Sequence, residues 1–525
     1  MPIRSPRAAA IWRGIALGAV WTAAFVALAS LADALDLAPN PAYRTFEWIS
    51  GLLPGWLVTW AIDHLVALVH TLGAASTATA AKTIEKALAV AVAIVIGAIA
   101  GGVIGDLVRR PVDTRAKWGG KPIDIGIAAG AAAAALYQLV VARDRTPVMI
   151  VFTLGGFLTW GGVLGASIGA TTAGEHAVAE RRHMLLVLGT LAAATTIVAS
   201  GLARLLRRPR SVSSGAPELP PQAPVEASSR LAPVPGTRPE LTATKDFFRI
   251  DINLTPPAIE RASWRLALGG LIAHPRELSL DEVRARPATT QVITLDCISN
   301  PVGGDLIGTA PWTGCSLGAL LDDLGLSPDA RALWIEAADG FHESVSLADA
   351  RDPRAMLVHA MNGEPLTADH GFPLRLYLPD RHGMKLPKWI RRIDAVADAK
   401  PGYWVERGWS ATAIPHTTSV VDTALPTGEG AARRLSIGGI AYAGARGISK
   451  VEVQIDNGPW QPAQLRTPPL SQLTWVQWRL DAPYGPGSHT LRVRAYDGTG
   501  APQDTTVRPP HPDGATGLHV KTVKV

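Results

Sequence analysis

Cysteine is nearly absent: the 525 residues contain two, Cys297 and Cys315. Neither stands in a C-x-x-C or C-x-x-C-H pattern, which excludes zinc ribbons, covalently attached c-type haem and all-cysteine iron–sulfur clusters. Charge is sparse as well. Asp, Glu, Lys and Arg make up 18% of the chain and aromatic residues 6%, against a hydrophobic share of 47% and a mean hydropathy of +0.17. The apolar excess is uneven, and nearly all of it precedes Arg210. Part of the net charge of +6 comes from arginine clusters beside those apolar runs, so it reads as membrane flanks and no nucleic-acid partner is expected.

Residues 1–208 read as a transmembrane α-helical bundle. Arg4, Arg7 and Arg13 precede an apolar run over residues 15–31, and no small-residue cleavage site leads from it into a soluble sequence. An uncleaved membrane helix is therefore expected. Residues 88–108, 123–141, 147–170 and 184–206 are each close to the ~20 residues that cross a bilayer. The stretch 48–72 is interrupted by Asp63, His64 and His70 and broken at Pro54-Gly55, so it either spans or lies in the interface. Arg109, Arg110, Arg115, Lys117 and Lys121 form the most basic connection, which belongs in the cytoplasm with the N-terminus. An even number of crossings must separate the two, and residues 48–72 are taken as the segment that does not cross. The bundle then has five helices, or six if that stretch also spans, and a multi-pass cell-membrane protein is expected to carry everything after Arg210 outside the cytoplasm.

Two local features bear on this. Residues 180–186, with Arg181-Arg182 before the last apolar run, resemble a twin-arginine export signal, and two ordinary positive-inside arginines are the other reading. His64 and His70 form no matched pair on two clear helices, so haem is not expected in the bundle. Gly97, Gly101, Gly102 and Gly105 fit close helix packing among lipids. Beyond the bundle, residues 209–240 turn to Pro, Ser, Ala and charged residues around Pro220-Pro221, the composition of an extended, mobile linker.

The soluble part is organised around residues 291–321. Val292-Ile293-Thr294-Leu295 is a β-rich apolar run that ends at Cys297, and a turn-rich segment with Asn300, Pro301, Gly303 and Gly304 follows. A cysteine where a strand gives way to a loop is either a small apolar core residue or a reachable ligand. A disulfide to Cys315 is a third reading, although Cys315 also suits the core at a helix start.

The order of LDCISNPVGG, Trp312-Thr313-Gly314, His370-Gly371-Phe372-Pro373-Leu374-Arg375 and Lys388-Trp389 resembles the molybdenum-cofactor domain of the sulfite oxidase family. The resemblance implies an α+β domain over residues 241–412 that binds a molybdenum–molybdopterin cofactor. In it, the Cys297 thiolate binds the metal beside two dithiolene sulfurs, a soft ligand for a sulfur-bound metal. His370, Arg375 and Lys388 would face the phosphorylated pterin, where a guanidinium fork suits phosphate. Phe248 and Asp251 fall in the motif that opens the family domain, and an acidic residue that contacts the cofactor maps to Asp339, where a simple Asp-Gly turn is the other reading.

Two departures stand out. Family members with sulfite as substrate have an arginine followed by Asn-His where this chain has Ile250-Asp251-Ile252, with Arg249 one place away. Their catalytic tyrosine, in a W-x-x-R-x-Y arrangement, corresponds to Trp409 in Trp404-Val405-Glu406-Arg407-Gly408-Trp409, and an indole has no phenolic proton to give. The expected activity is thus two-electron oxygen-atom transfer on a small substrate other than sulfite, with electrons passed to a separate carrier. The alternative is an inactive binding or assembly module on a membrane anchor. Residues 413–525 carry short alternating strands at 436–443, 448–455, 475–480 and 489–495, with turns such as Asp456-Asn457-Gly458 between them. They suggest an all-β immunoglobulin-like sandwich, which in the resembling family commonly mediates homodimerisation.

Overall fold

The computed structural model describes all residues except 1–5, 36, 72–75, 111–120, 143–146, 173–177, 207–230 and 429–432. The chain divides into two compact units, Met1–Leu53 with Lys82–Pro209 and Pro54–Ala81 with Arg210–Val525. The helices of the N-terminal part are α1 (Pro6–Ala34), α2 (Pro41–Leu52), α3 (Gly55–Thr71), α4 (Thr77–Val108), α5 (Pro122–Leu136), α6 (Pro147–Thr172) and α7 (Val178–Leu206). A π-helical turn, Tyr137–Val141, extends α5.

In the first unit, small residues set the helix contacts. A Cβ on Gly14 of α1 would run into the carbonyl of Gly101 on α4, and one on Gly126 of α5 into that of Gly161 on α6. Backbones this close gain dispersion contacts that larger side chains would prevent. Buried polar groups pair across helices: the Trp21 indole donates to Ser167 Oγ at 3.1 Å, and that of Trp160 to Thr22 Oγ1 at 3.0 Å. Large apolar side chains such as Leu136, Val151 and Ile197 face outward. Among the described residues, Arg7–Ala34, Thr77–Val108, Pro122–Val141 and Met149–Thr171 are long and apolar enough to cross a membrane, and Val187–Ala203 is a shorter apolar stretch inside α7. The ambiguous stretch 48–72 is two helices broken at Leu53-Pro54, and α3 has 17 residues. The side chains of His70, Arg181 and Arg182, with Arg115 and Lys117, lie outside the described residues.

In the second unit, the first strands and helices alternate. β1 (Leu266–Gly270) and β2 (Arg276–Leu278) lead to α8 (Leu280–Arg284), which opens with a capping box between Ser279 and Glu282. β3 (Ala288–Asp296) and β4 (Ile307–Ser316) form an antiparallel pair whose connection, 297–306, is the cysteine loop. α9 (Leu317–Leu324) starts at the N-cap Ser316 and buries Leu317, Leu320, Leu321 and Leu324. Cys315 belongs to β4, one residue before that cap, and not to the helix. Both cysteines are free and buried, so the disulfide reading is set aside.

β5 (Ala332–Ala337), β6 (His342–Ser346), the short α10 (Leu347–Ala350), β7 (Met356–Met361), β8 (Glu364–Pro365), β9 (Arg375–Tyr377) and β10 (Ile390–Val396) complete the cofactor region. One sheet has the order β2-β1-β10-β5-β6, and the other runs β3-β4-β7-β8 with β9 also on β7. A single core joins both sheets through Leu266, Ile293, Trp312, Leu333, Leu357 and Ile390.

The last part holds β11 (Thr418–Thr427), β12 (Arg434–Tyr442), β13 (Ile448–Ile455), β14 (Trp460–Pro462), β15 (Gln464–Leu465), β16 (Val476–Ala482), β17 (Ser488–Asp497) and β18 (His519–Lys524). Its two sheets, β11-β12-β16-β15 and β14-β13-β17-β18, share a core that includes Ile437, Val451, Trp478 and Val493. Strands β11, β14, β15 and β18 were not expected. These sheets are stitched to β3: Trp475 N donates to Thr294 Oγ1 at 2.9 Å and Tyr442 OH to the Thr294 carbonyl at 3.2 Å.

The expected mobile linker over 209–240 is corrected at its C-terminal end. Val234 is 2% exposed and packs on Gly438, the Gln477 amide donates to the Arg238 carbonyl at 2.6 Å, and Arg238 pairs with Asp422 at 2.9 Å. Composition failed here because the few apolar residues of 231–240 find their burial on a sheet two hundred residues away. Residues 209–230 lie outside the described residues.

Candidate functional site

Cys297 follows the last residue of β3, and the strand aims it. Its N–H donates to the Leu306 carbonyl at 3.0 Å, its carbonyl accepts from Asn300 N at 2.9 Å, and the Asn300 side chain accepts from Leu306 N at 3.0 Å. These bonds close the loop into a fixed turn, with Gly303 in the left-handed region at φ 83°. Cys297 Sγ lies 3.0 Å from Ser299 Oγ and is buried, and burial pushes the thiol up to about 11. A thiolate at this place therefore needs a cation against it.

The loop borders a cavity, and every residue expected at the site lines it: Phe248, Asp251, Cys297, Asp339, His370, Arg375, Lys388 and Trp409. Phe248 stacks on Phe247 at 5.3 Å, and Phe247 meets Trp312 and His370 edge-on at 5.5 and 5.6 Å. Asp251 pairs with Lys388 at 2.9 Å and Arg249 at 2.7 Å. Arg249 also reaches Asp369 at 3.0 Å. Its charge is thus spent on two carboxylates, and it is not among the lining residues of the cavity. Asp339 accepts from Asn253 Nδ2 at 2.7 Å and from Phe341 N at 3.0 Å, so it holds its own turn as well as facing the cavity. Burial raises its carboxyl.

The basic groups differ in how they are compensated. Lys388 is drawn down to about 8 by burial while its ammonium bonds Asp251 and the Asp369 carbonyl. His370 Nε2 is 3.0 Å from the Thr244 carbonyl, and burial lowers the ring to about 4, which keeps it neutral at pH 7. Arg375 lies on β9 with its guanidinium 4.9 Å above the Trp312 ring and one N–H donated to the His370 carbonyl. Among the described residues, no carboxylate forms an ion pair with it, and burial lowers it to about 10. A buried guanidinium without an anion, on the wall of a cavity, is a place for an anionic ligand. Trp409 has a buried indole N–H with no partner and stands edge-on to His511 at 5.1 Å and Trp404 at 6.4 Å.

These features fit a molybdopterin. Among the described residues no group of three or more His, Cys, Asp or Glu side chains could hold a metal ion. A metal at Cys297 must therefore bring most of its ligands with it, and a phosphorylated organic ligand supplies both the sulfurs and the anion for Arg375. Sequence reasoning missed several lining residues. Ile62 comes from α3 and Met384 from the 3-10 turn Gly383–Lys385, neither of them in a motif, while Asn253 supports Asp339 from beside the first motif.

The fold and cavity define a cofactor-binding oxidoreductase, and comparison with known proteins agrees. The family model described as "Oxidoreductase molybdopterin binding domain" matches residues 253–404. Sulfite oxidase of Gallus gallus is 30% identical over 323 residues, covering 51% of this chain and 69% of that protein. The uncharacterized oxidoreductase YuiH of Bacillus subtilis is 28% identical over 177 residues, 34% of this chain and 87% of that protein. A putative protein-methionine-sulfoxide reductase subunit, YedZ1, of Azospira oryzae is 31% identical over 152 residues, 29% of this chain and 56% of that protein. The chain belongs to the sulfite oxidase family and is a molybdopterin-dependent oxidoreductase.

Proposed function

We propose that this chain is a membrane-anchored enzyme that transfers an oxygen atom, with two electrons, to or from a small substrate other than sulfite. The observation that carries the reading is the convergence of Cys297, His370, Arg375 and Lys388 on one cavity whose buried guanidinium lacks a carboxylate. When bound, the molybdenum cofactor supplies the redox couple and the exchangeable oxygen. In this reading Cys297 is the protein ligand to the metal, and its burial excludes competing water. Arg375 and Lys388 neutralise the pterin phosphate, Phe248, Asp251 and Asp339 border the pterin, and neutral His370 donates or accepts a hydrogen bond without adding charge. Trp409 replaces a phenol with a donor that keeps its proton at any working pH. Ile250 and Ile252 line the cavity where sulfite-specific relatives carry basic or amide groups, which supports a substrate other than sulfite. With two cysteines in the chain, electrons leave or enter through a separate carrier.

The placement outside the cytoplasm gains support from parity. Thr59 Oγ1 donates to the Arg407 carbonyl at 3.2 Å and Thr77 N to Asp305 Oδ2 at 2.8 Å, so residues 54–81 and the cofactor region share one side of the membrane. Between them lie α4, α5, α6 and α7, and an even number of crossings requires α7 to cross with the other three. Its 29 residues span about 43 Å, enough for a bilayer. The basic connection at 109–121 then faces the opposite side, the cytoplasm. The two C-terminal sheets with their common core support the immunoglobulin-like reading of residues 413–525.

Elemental analysis of protein from a cofactor-competent host, beside Cys297→Ala, tests the assignment. About one molybdenum per chain is expected, with a paramagnetic resonance signal that the mutation alters. Well-folded protein without molybdenum would overturn it.

A further inference from the structure

The cavity wall contains a side chain from far outside the family domain. Ile62 belongs to α3, and the family match runs from 253 to 404. Its presence is no isolated touch, because the segment Pro54–Ala81 is fastened on both flanks of the cysteine. On one flank, a Cβ added to Gly55 would fall 2.7 Å from Arg407 Cα, and Thr59 Oγ1 bonds the same residue's carbonyl. Arg407 ends the turn Val405–Arg407, which separates Trp404 from Trp409, two lining residues. On the other flank, Thr77 N is held by Asp305, and Ala78 joins Cys297 and Leu306 in one buried apolar cluster.

Among the described residues, those that line the cavity on this side of Cys297 carry no charge. Ile298, Met384 and Trp409 form a buried cluster with Trp404 packed against it, and Ile62 lines the same cavity. The charged lining groups, Asp251, Asp339, Arg375 and Lys388, are the ones tied to Arg249, Asn253 and His370. An anion or zwitterion that approached past Ile62 and the two tryptophans would lose its water and gain no counter-charge, with the Trp409 indole N–H as a single donor. A neutral apolar molecule gains from the same burial.

We infer that α3, through Ile62, forms a wall of the active-site cavity that restricts access at Cys297 to uncharged, apolar molecules. This rests on the proposed function and names the substrate class of that site: a neutral oxygen-atom donor or acceptor flanked by apolar groups.

The test needs no metal. The full chain, made in a host that lacks the cofactor, carrying Cys315→Ala and kept in excess inorganic phosphate to occupy the anion place at Arg375, leaves Cys297 as the sole thiol. It is treated with two methanethiosulfonates, one neutral (methyl) and one anionic (sulfonatoethyl). Modification is followed by mass spectrometry, and each rate is divided by its rate on the same chain in denaturant. The neutral reagent is expected to react at least tenfold faster than the anionic one. Ile62→Ser, and independently Gly55→Leu, which pushes α3 from Arg407, should bring the ratio below threefold. A ratio near one in the parent chain, or one that both variants leave unchanged, overturns the wall. In the loaded enzyme, a higher kcat/KM for sulfite than for methyl phenyl sulfoxide would overturn the substrate class. Absence of molybdenum would overturn the proposed function while leaving the thiol-labelling result to stand by itself.

Discussion

His359 shows how one buried group shapes the pH response of the cofactor region. It sits on β7 at 5% exposure, and neither ring nitrogen finds a hydrogen-bond partner. Burial lowers it from 6.5 to about 4. The folded chain therefore binds fewer protons than the unfolded chain between those values, and the stability held above pH 6.5 is lost as pH falls toward 4. His359→Leu removes that loss. The variant should be more stable than the parent at pH 7, and its advantage should widen by about 2 kcal/mol at pH 5. Chemical denaturation of both chains at the two pH values in one detergent checks this. An advantage that stays constant with pH would contradict it. The same scale separates what could be read in the site from what could not. Cys297, His370, Arg375 and Lys388 lie in local motifs, whereas Ile62 and Met384 reach the cavity, and Asn253 reaches Asp339, through packing between distant segments.

At the scale of elements, the segment 231–240 is a strap on the C-terminal sheets. Val234 fills the space left by Gly438, and Arg238 and Gln477 fix the backbone beside it. Val234→Asp would bury a carboxylate without a partner, and a loss of at least about 2 kcal/mol is expected in chemical denaturation. Val234→Ile should stay within about 1.5 kcal/mol of the parent. Elements set by their own sequence were legible: the β run that ends at Cys297 is the end of β3, and the alternating stretches 436–443 and 448–455 fall on β12 and β13. The strap was not, since a Pro-rich stretch looks alike whether it is solvated or lies along a sheet.

For the whole molecule, the crossing count and the sidedness stand or fall together. A green fluorescent protein inserted at residue 115 should fluoresce, and alkaline phosphatase fused after residue 525 should be active, because the first folds in the cytoplasm and the second needs an oxidising exterior. The reverse pattern would place the cofactor region in the cytoplasm. Phosphatase activity at both sites would break the parity between residues 109–121 and the cofactor region.

Order along the chain carries the chemistry of this protein, so the sequence by itself determined the cysteine, the basic residues after it, the apolar runs and the absence of any further thiol for an electron relay. Those features depend on residue type and short spacing, which need no partner to be read. Tertiary structure decided that the strand ending at Cys297 is braced by Trp475 and Tyr442, that Arg375 is buried without an anion, and that α3 lends Ile62 to the cavity. Each of these is a burial shared by residues far apart in the chain, and burial is a property of the folded assembly of segments and of no segment alone.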